Sequence, residues 1–378
     1  MTQNPFNRFL IFGLTTLLGS ATLAQTEKAP APQKATVRDA YQGAWSMPAE
    51  DKKNEDHALD LGLFTIVENA NSAANELDRF RAERNKALIS NQGQLKSGDR
   101  ARLKKKAAEL NTAHPGSFEG ELAAYYADFP SPSAYGHLDA AARLQPARDE
   151  LLGPLLTQGM RNDDRQRLAA AAQEIRLRGD VAPGLLQMAD DILLSVEPDA
   201  ILVVAGEMDG FPLLVRQCAE GRRPDVLLID HRLLEDPSYR TRMWQRAKAR
   251  GAVPPDAASF PDRLLHSCKR PLYFSLALGR SWAETYADRL HITGLAMRLS
   301  DAPCCDPKSL QATWRSMSRT MNAGPLSRNY IIPAVVLLKH LRALGDEEPA
   351  AAMEHEVRQL AQQLGVIRDL QAAGILAH

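Results

Sequence analysis

The chain has 378 residues, 46 Lys plus Arg against 46 Asp plus Glu, and 44% hydrophobic residues. That length suits two modest domains, and a net charge of zero gives no support to a general attraction for nucleic acid or an anionic membrane. The four cysteines form no CxxC pair and no HExxH run occurs, so neither a metal site nor a cofactor is expected.

In chain order, Arg8 precedes the apolar run Phe9 to Leu23, which ends among the small residues Ser20, Ala21 and Ala24. This reads as an export signal over residues 1–24, cleaved after Ala24. As a helix the run would span about 22 Å at roughly 1.5 Å per residue, short of the roughly 30 Å hydrocarbon core, which favours a cleaved signal over a permanent span. The mature protein is therefore expected to be periplasmic or secreted, with no stable membrane span. Residues 25–56, rich in Pro, Ala, Lys and Gln, read as a flexible linker.

Residues 57–196 read as a helical domain, with helices over Leu59 to Ile89, Asp99 to Leu110, Ser117 to Ala127, Arg148 to Gly159, Asp163 to Arg178 and Ala182 to Leu194. The basic run Arg100 to Lys106 reads as a solvated helix face. The phrase YGHLDAAARLQP, Tyr135 to Pro146, resembles the second helix of a tetratricopeptide repeat, in which alanines let two helices approach closely. An irregular helical domain is the alternative.

Residues 197–303 read as an α/β domain. The apolar run Ala200 to Ala205 has the length and β-branched content of a buried parallel strand. Gly206 supplies its exit, Phe211 to Glu220 fits a helix with Pro212 in its first turn, and Val226 to Ile229 forms the next strand. A helix over Pro237 to Arg250, a short one near Asp262 to His266, the strand LYFSLAL from Leu272, a helix over Trp282 to Leu290 and one strand over His291 to Leu299 follow. The expected fold is a small, mostly parallel Rossmann-like sheet flanked by N- and C-terminal tetratricopeptide-like helical regions. The C-terminal region, 304–378, is read as helices over Pro307 to Thr320, Ile331 to Leu344 and Ala350 to Leu364. Export permits a bridge from Cys268 to Cys304 or Cys305, whereas Cys218 reads as a buried apolar residue.

Ligands of open α/β sheets sit beyond the carboxyl ends of the strands, which singles out Glu207, Asp209, Asp230 and His231. Such a group could bind a cation, accept sugar hydroxyls or act as acid and base. Equally, Asp209 could cap the helix expected to begin near Phe211, and His231 could be a hydrogen-bonded structural histidine.

The segment ILVVAGEMDGFPLLVRQCAEGRRPDVLLIDHRLL resembles the soluble extracytoplasmic segment of a bacterial membrane family of protein-O-mannosyltransferase-like proteins, whose phrases are GDNDTYPLWYLQ and RPDVRVVN. The matching letters are Gly206, Asp209, Pro212, Leu213, Gln217, Arg223, Asp225 and Val226. PLYFSLAL at Pro271 to Leu278, YADRLHITGLAMRL at Tyr286 to Leu299, and Asn329 with Tyr330 continue it in order, so the likeness covers about Asp199 to Leu364. Met208 and Gly210 replace a family Asn and Thr or Ser, and one signal-like segment stands where the family has its multi-span membrane half. The resemblance, without its transferase half, implies an accessory or binding role linked to envelope glycan or glycoprotein processes. With the export signal, and with tetratricopeptide-like helices flanking the α/β core to present a groove, the expectation is a non-enzymatic exported module for a protein or peptide partner. The alternative is a glycan-active enzyme or sugar-binding protein using the acidic strand ends.

Overall fold

The computed structural model describes residues 72–90, 95–278, 280–302 and 306–377. The expected signal segment, the linker, the start of the first helix, and Cys304 and Cys305 with any bridge to them lie outside the described residues. Among those described, no helix is long and apolar enough to cross a membrane. By contacts the chain divides between Val181 and Ala182 into two units.

The first unit is helical: α1 (Ala73–Ser90), α2 (Ser97–Ala113), α3 (Phe118–Asp128), α4 (Ala134–Leu144), α5 (Leu152–Asn162) and α6 (Arg165–Arg178). In α2 only Leu103, Ala107 and Leu110 are buried, a narrow apolar stripe at helical spacing. The basic residues between them are solvated, with Arg102 and Lys106 paired to Glu83 and Lys104 to Asp128. Caps set the ends: Ser117 accepts the Gly120 N–H and Asp164 the Arg167 N–H, while Gly179, at φ +72°, stops α6. Neighbouring helices pack as pairs, α2 on α3, α3 on α4 and α5 on α6.

The second unit opens with α7 (Pro183–Leu194) and contains a five-stranded sheet: β1 (Ile201–Val204), β2 (Leu227–Asp230), β3 (Leu272–Ser275), β4 (Leu290–Ile292) and β5 (Ala296–Leu299), in the order β2-β1-β3-β5-β4. Strands β1 and β2 pair in parallel with Val204 opposite Asp230, and β1 pairs in parallel with β3. All four residues of β1 are buried, as a central strand covered on both faces requires.

Two expectations change here. The region His291 to Leu299 is a hairpin rather than one strand, because Gly294 at φ +140° reverses the chain. A Cβ there would also lie 2.4 Å from Ser195 Oγ. Strand β5 therefore runs antiparallel to both β3 and β4, and the sheet is mixed rather than mostly parallel. Likewise the helix after β1 starts at once: α8 spans Glu207–Leu214 and widens into a π turn over Val215–Ala219, where Cys218 is only half-buried.

The remaining helices are α9 (Pro237–Arg246), α10 (Phe260–Ser267), α11 (Arg280–Thr285), α12 (Pro307–Ser316), α13 (Ile331–Leu344), α14 (Glu347–Gln363) and α15 (Ile367–Ala372). A buried carboxylate ties this C-terminal part to α7. Asp191 accepts the Ser318 N–H at 3.0 Å, its hydroxyl at 2.9 Å, the Arg319 N–H at 3.1 Å and the Tyr330 hydroxyl at 2.6 Å. Burial, reinforced by that carboxylate, pushes the Tyr330 phenol well above its ordinary range.

Candidate functional site

The four residues picked from the sequence meet at the carboxyl ends of β1 and β2, joined by Arg232 of a 3₁₀ turn over His231–Glu235 and by Ser275 at the end of β3. Gly206, at φ +139°, turns the chain from β1 straight into α8, which puts Glu207 and Asp209 in the first helical turn. Asp209 therefore does not cap a helix starting at Phe211. It reaches back one turn, accepting the Ala205 N–H at 2.9 Å and the Gly206 N–H at 3.0 Å. It is 2% exposed, and Ser275 also bonds its carboxylate. Burial pushes the Asp209 carboxyl above its ordinary range, with Asp230 adding to the effect against the bonds from Ala205, Ser275 and Gly206.

Asp230 is 3% exposed and titrates the opposite way. Burial alone would raise its carboxyl, but Arg232 outweighs that and holds it below the ordinary range. The Arg232 Nη2 lies 2.7 Å from Asp230 Oδ2, Nε 3.1 Å from Oδ1, and the Arg232 N–H donates to Oδ1 at 2.9 Å. The other arm, Nη1, reaches Glu207 Oε1 at 3.2 Å. With side chains 21% and 15% exposed, Glu207 and Arg232 form the rim of the cluster. The φ of Gly206 favours glycine, and a Cβ there, 2.6 Å from Arg232 Cζ, would also displace the guanidinium.

His231 turns its Nδ1 to the Val204 carbonyl at 3.1 Å and its ring edge-on to Trp282, with centroids 5.7 Å apart. Burial lowers its imidazole below the ordinary histidine range, against the pull of Asp230. The resulting neutral ring donates Nδ1–H to the carbonyl, a structural contact. Among the described residues no group of three or more His, Cys, Asp or Glu side chains is placed to hold a metal ion.

Most polar letters of the family resemblance lie at the other end of the strands. Gln217 donates to the carbonyls of Arg223 and Val226 at 2.7 and 2.9 Å. Arg223, at φ +46°, donates to the carbonyls of Leu193 at 2.6 Å, Val196 at 3.2 Å and Glu197 at 2.9 Å, and pairs with Asp225 at 3.0 Å. Asp225 accepts the Asp199 N–H at 2.9 Å, and Arg223 holds its carboxyl down at about 2. Arg270 donates to the carbonyls of Asp199 at 2.8 Å, Ala200 at 3.0 Å and Asp225 at 2.7 Å.

Sequence reasoning missed Arg232, Arg270, Ser275 and Asp191. The signal for Arg232 was present in the phrase DHRLL, where an arginine two residues after a strand-end aspartate can fold back on it. The other three act through distant chain segments and leave no local pattern.

A family model, TMEM260-associated domain 2, matches residues 185–259, from α7 almost to α10, and so contains most of both networks. No curated protein and no solved structure matches the chain.

Proposed function

We propose that this chain is an exported accessory module that binds a protein or peptide partner without transforming it, in the service of envelope glycoprotein processing. One observation carries the reading: the two carboxylates placed where an α/β enzyme puts its acid and base are already engaged by the fold. Asp209 is buried on two backbone N–H groups and Asp230 on Arg232. A general base must reach the proton it removes, and neither carboxylate presents itself for that. Glu207 and Arg232, at the rim, are then the polar contacts for a partner. On this reading the parallel strands are a reduced Rossmann-like sheet and the helices of residues 73–181 are of tetratricopeptide type, an architecture that presents surfaces to peptides. The match to a TMEM260-associated domain and the resemblance to protein-O-mannosyltransferase-like proteins support the link to glycoprotein processing.

A glycan ligand is the second reading, favoured by the half-buried Trp282 beside His231 at the same strand ends.

Photo-crosslinking in cells tests the first reading, with the probe at exposed Glu235, next to the rim, and at exposed Lys269, at the opposite end of the sheet. One discrete protein adduct from position 235 and none from 269 is expected. Turnover of aryl glycosides by the purified chain, abolished by Asp209→Asn, would overturn it.

A further inference from the structure

His231 uses one of its two ring nitrogens inside the fold. Nδ1 lies 3.1 Å from the Val204 carbonyl oxygen, which can only accept, so the single proton of the neutral ring sits on Nδ1. Nε2 is left with a lone pair and no hydrogen, and can only accept. Among the described residues nothing bonds to Nε2, and the atom is not enclosed, so it opens to solvent from a half-buried ring. The ring is also held in orientation. Trp282 meets it edge-on at 86°, with centroids 5.7 Å apart, and Phe274 of β3 backs the indole at 5.5 Å. The acceptor is thus fixed in place before any partner arrives, which lowers the cost of binding to it. A bare lone pair turns away a carboxylate or a phosphate and takes an N–H or O–H.

We propose, resting on the reading of this chain as a peptide-binding module, that His231 Nε2 is the acceptor for an amide or hydroxyl hydrogen of the bound peptide, beside the half-buried Trp282. The bond from Nδ1 to Val204 is structural, and it sets the tautomer that leaves Nε2 available. Recognition at the trailing ends of the strands then has a fixed polarity: the peptide donates to His231, and an anionic group is refused there.

Two substitutions separate the nitrogens, because the amide of asparagine falls where Nδ1 lies and the amide of glutamine where Nε2 lies. In the full chain carrying the photo-crosslinking probe at position 235, His231→Asn keeps a donor for Val204 and loses the outer acceptor. Thermal melting close to wild type and about tenfold less protein adduct in cells are expected. His231→Gln, with the opposite exchange, should melt lower and retain most of the adduct. Two-bond proton–nitrogen NMR spectra of the purified full chain at neutral pH, assigned by the signals missing in His231→Gln, should show the Nδ1–H tautomer. An Nε2–H tautomer, or an adduct that survives His231→Asn and is lost in His231→Gln, would overturn the role of Nε2 and leave the peptide-binding reading standing. No adduct from the chain with His231 intact would overturn both.

Discussion

At the leading ends of the parallel strands, the guanidiniums of Arg223 and Arg270 are spent on backbone carbonyls. At the trailing ends the roles are exchanged: the carboxylate of Asp209 takes backbone N–H groups, and Arg232 meets carboxylates. The polarity of helices accounts for part of the difference, since Arg223 takes the Leu193 carbonyl of α7 and Asp209 the Gly206 N–H at the start of α8, while the acceptors of Arg270 lie in loop segments. Helix α7 ends just before β1 and brings carbonyls without intrahelical partners to the leading edge, whereas α8 begins just after β1 and brings N–H groups to the trailing edge. Cations therefore stabilise one edge and anions the other. Both edges leave members partly in solvent, Glu207 and Arg232 at the trailing edge and Arg223 and Asp225 at the leading one.

The comparison presupposes a buried central strand, and Val203→Asp tests that first. Val203 is 1% exposed, and an unpaired carboxylate there costs several kcal/mol, a large share of the roughly 5–15 kcal/mol that holds a typical domain together. Loss of the cooperative thermal transition is expected. Next, Arg270→Ala at the leading edge removes the donor shared by three carbonyls on two segments, Asp199, Ala200 and Asp225, and should cost about 3 kcal/mol in denaturant unfolding, with no effect on partner capture at the trailing edge.

At the trailing edge the two buried acids should separate by pH. The Asp230 carboxyl is held low, so its stabilisation is present above the ordinary carboxylate range and is lost as pH falls through the folded value. The gap between wild type and Asp230→Asn should close in acid. The Asp209 carboxyl is raised, so the proton it takes up stabilises the fold at low pH and that contribution is lost as pH rises. The gap between wild type and Asp209→Asn should shift the other way, favouring wild type more in acid, while Asp209→Ala, which leaves two N–H groups unpaired, costs about 2 kcal/mol. Melting curves from pH 3 to pH 7 read both. The smallest effect is at the rim: Glu207→Gln should change stability by less than about 1 kcal/mol, yet weaken the crosslink from position 235.

Residues with local patterns were legible in the sequence and residues acting at long range were not. The buried strand from Ile201, the helices Pro183–Leu194 and Ile331–Leu344, and the gathering of Glu207, Asp209, Asp230 and His231 at one edge all follow from apolar runs, caps and chain order. The hairpin at Gly294 did not, because His291 to Leu299 alternates like a single strand and only a positive φ at one glycine reveals the reversal. The role of Asp209 was misplaced by one helical turn for a similar reason: the unusual φ of Gly206 lets α8 begin immediately, and Pro212 falls inside the helix instead of at its start. Asp191 looks like any polar residue of an amphipathic helix, and its partners lie more than 120 residues away.

The hydroxyl of Tyr239 accepts the Asp230 N–H at 3.0 Å on the outer side of β2. Leu227 of that strand gives its N–H inward, to Ala200, so by alternation Leu228 and Asp230 give theirs outward. With one of two outward donors already satisfied, the strand has a single rung to offer a sixth strand. That limits growth of the sheet at this edge, and a visiting peptide gains little by adding itself as a strand beside β2. At this edge a partner is read through side chains.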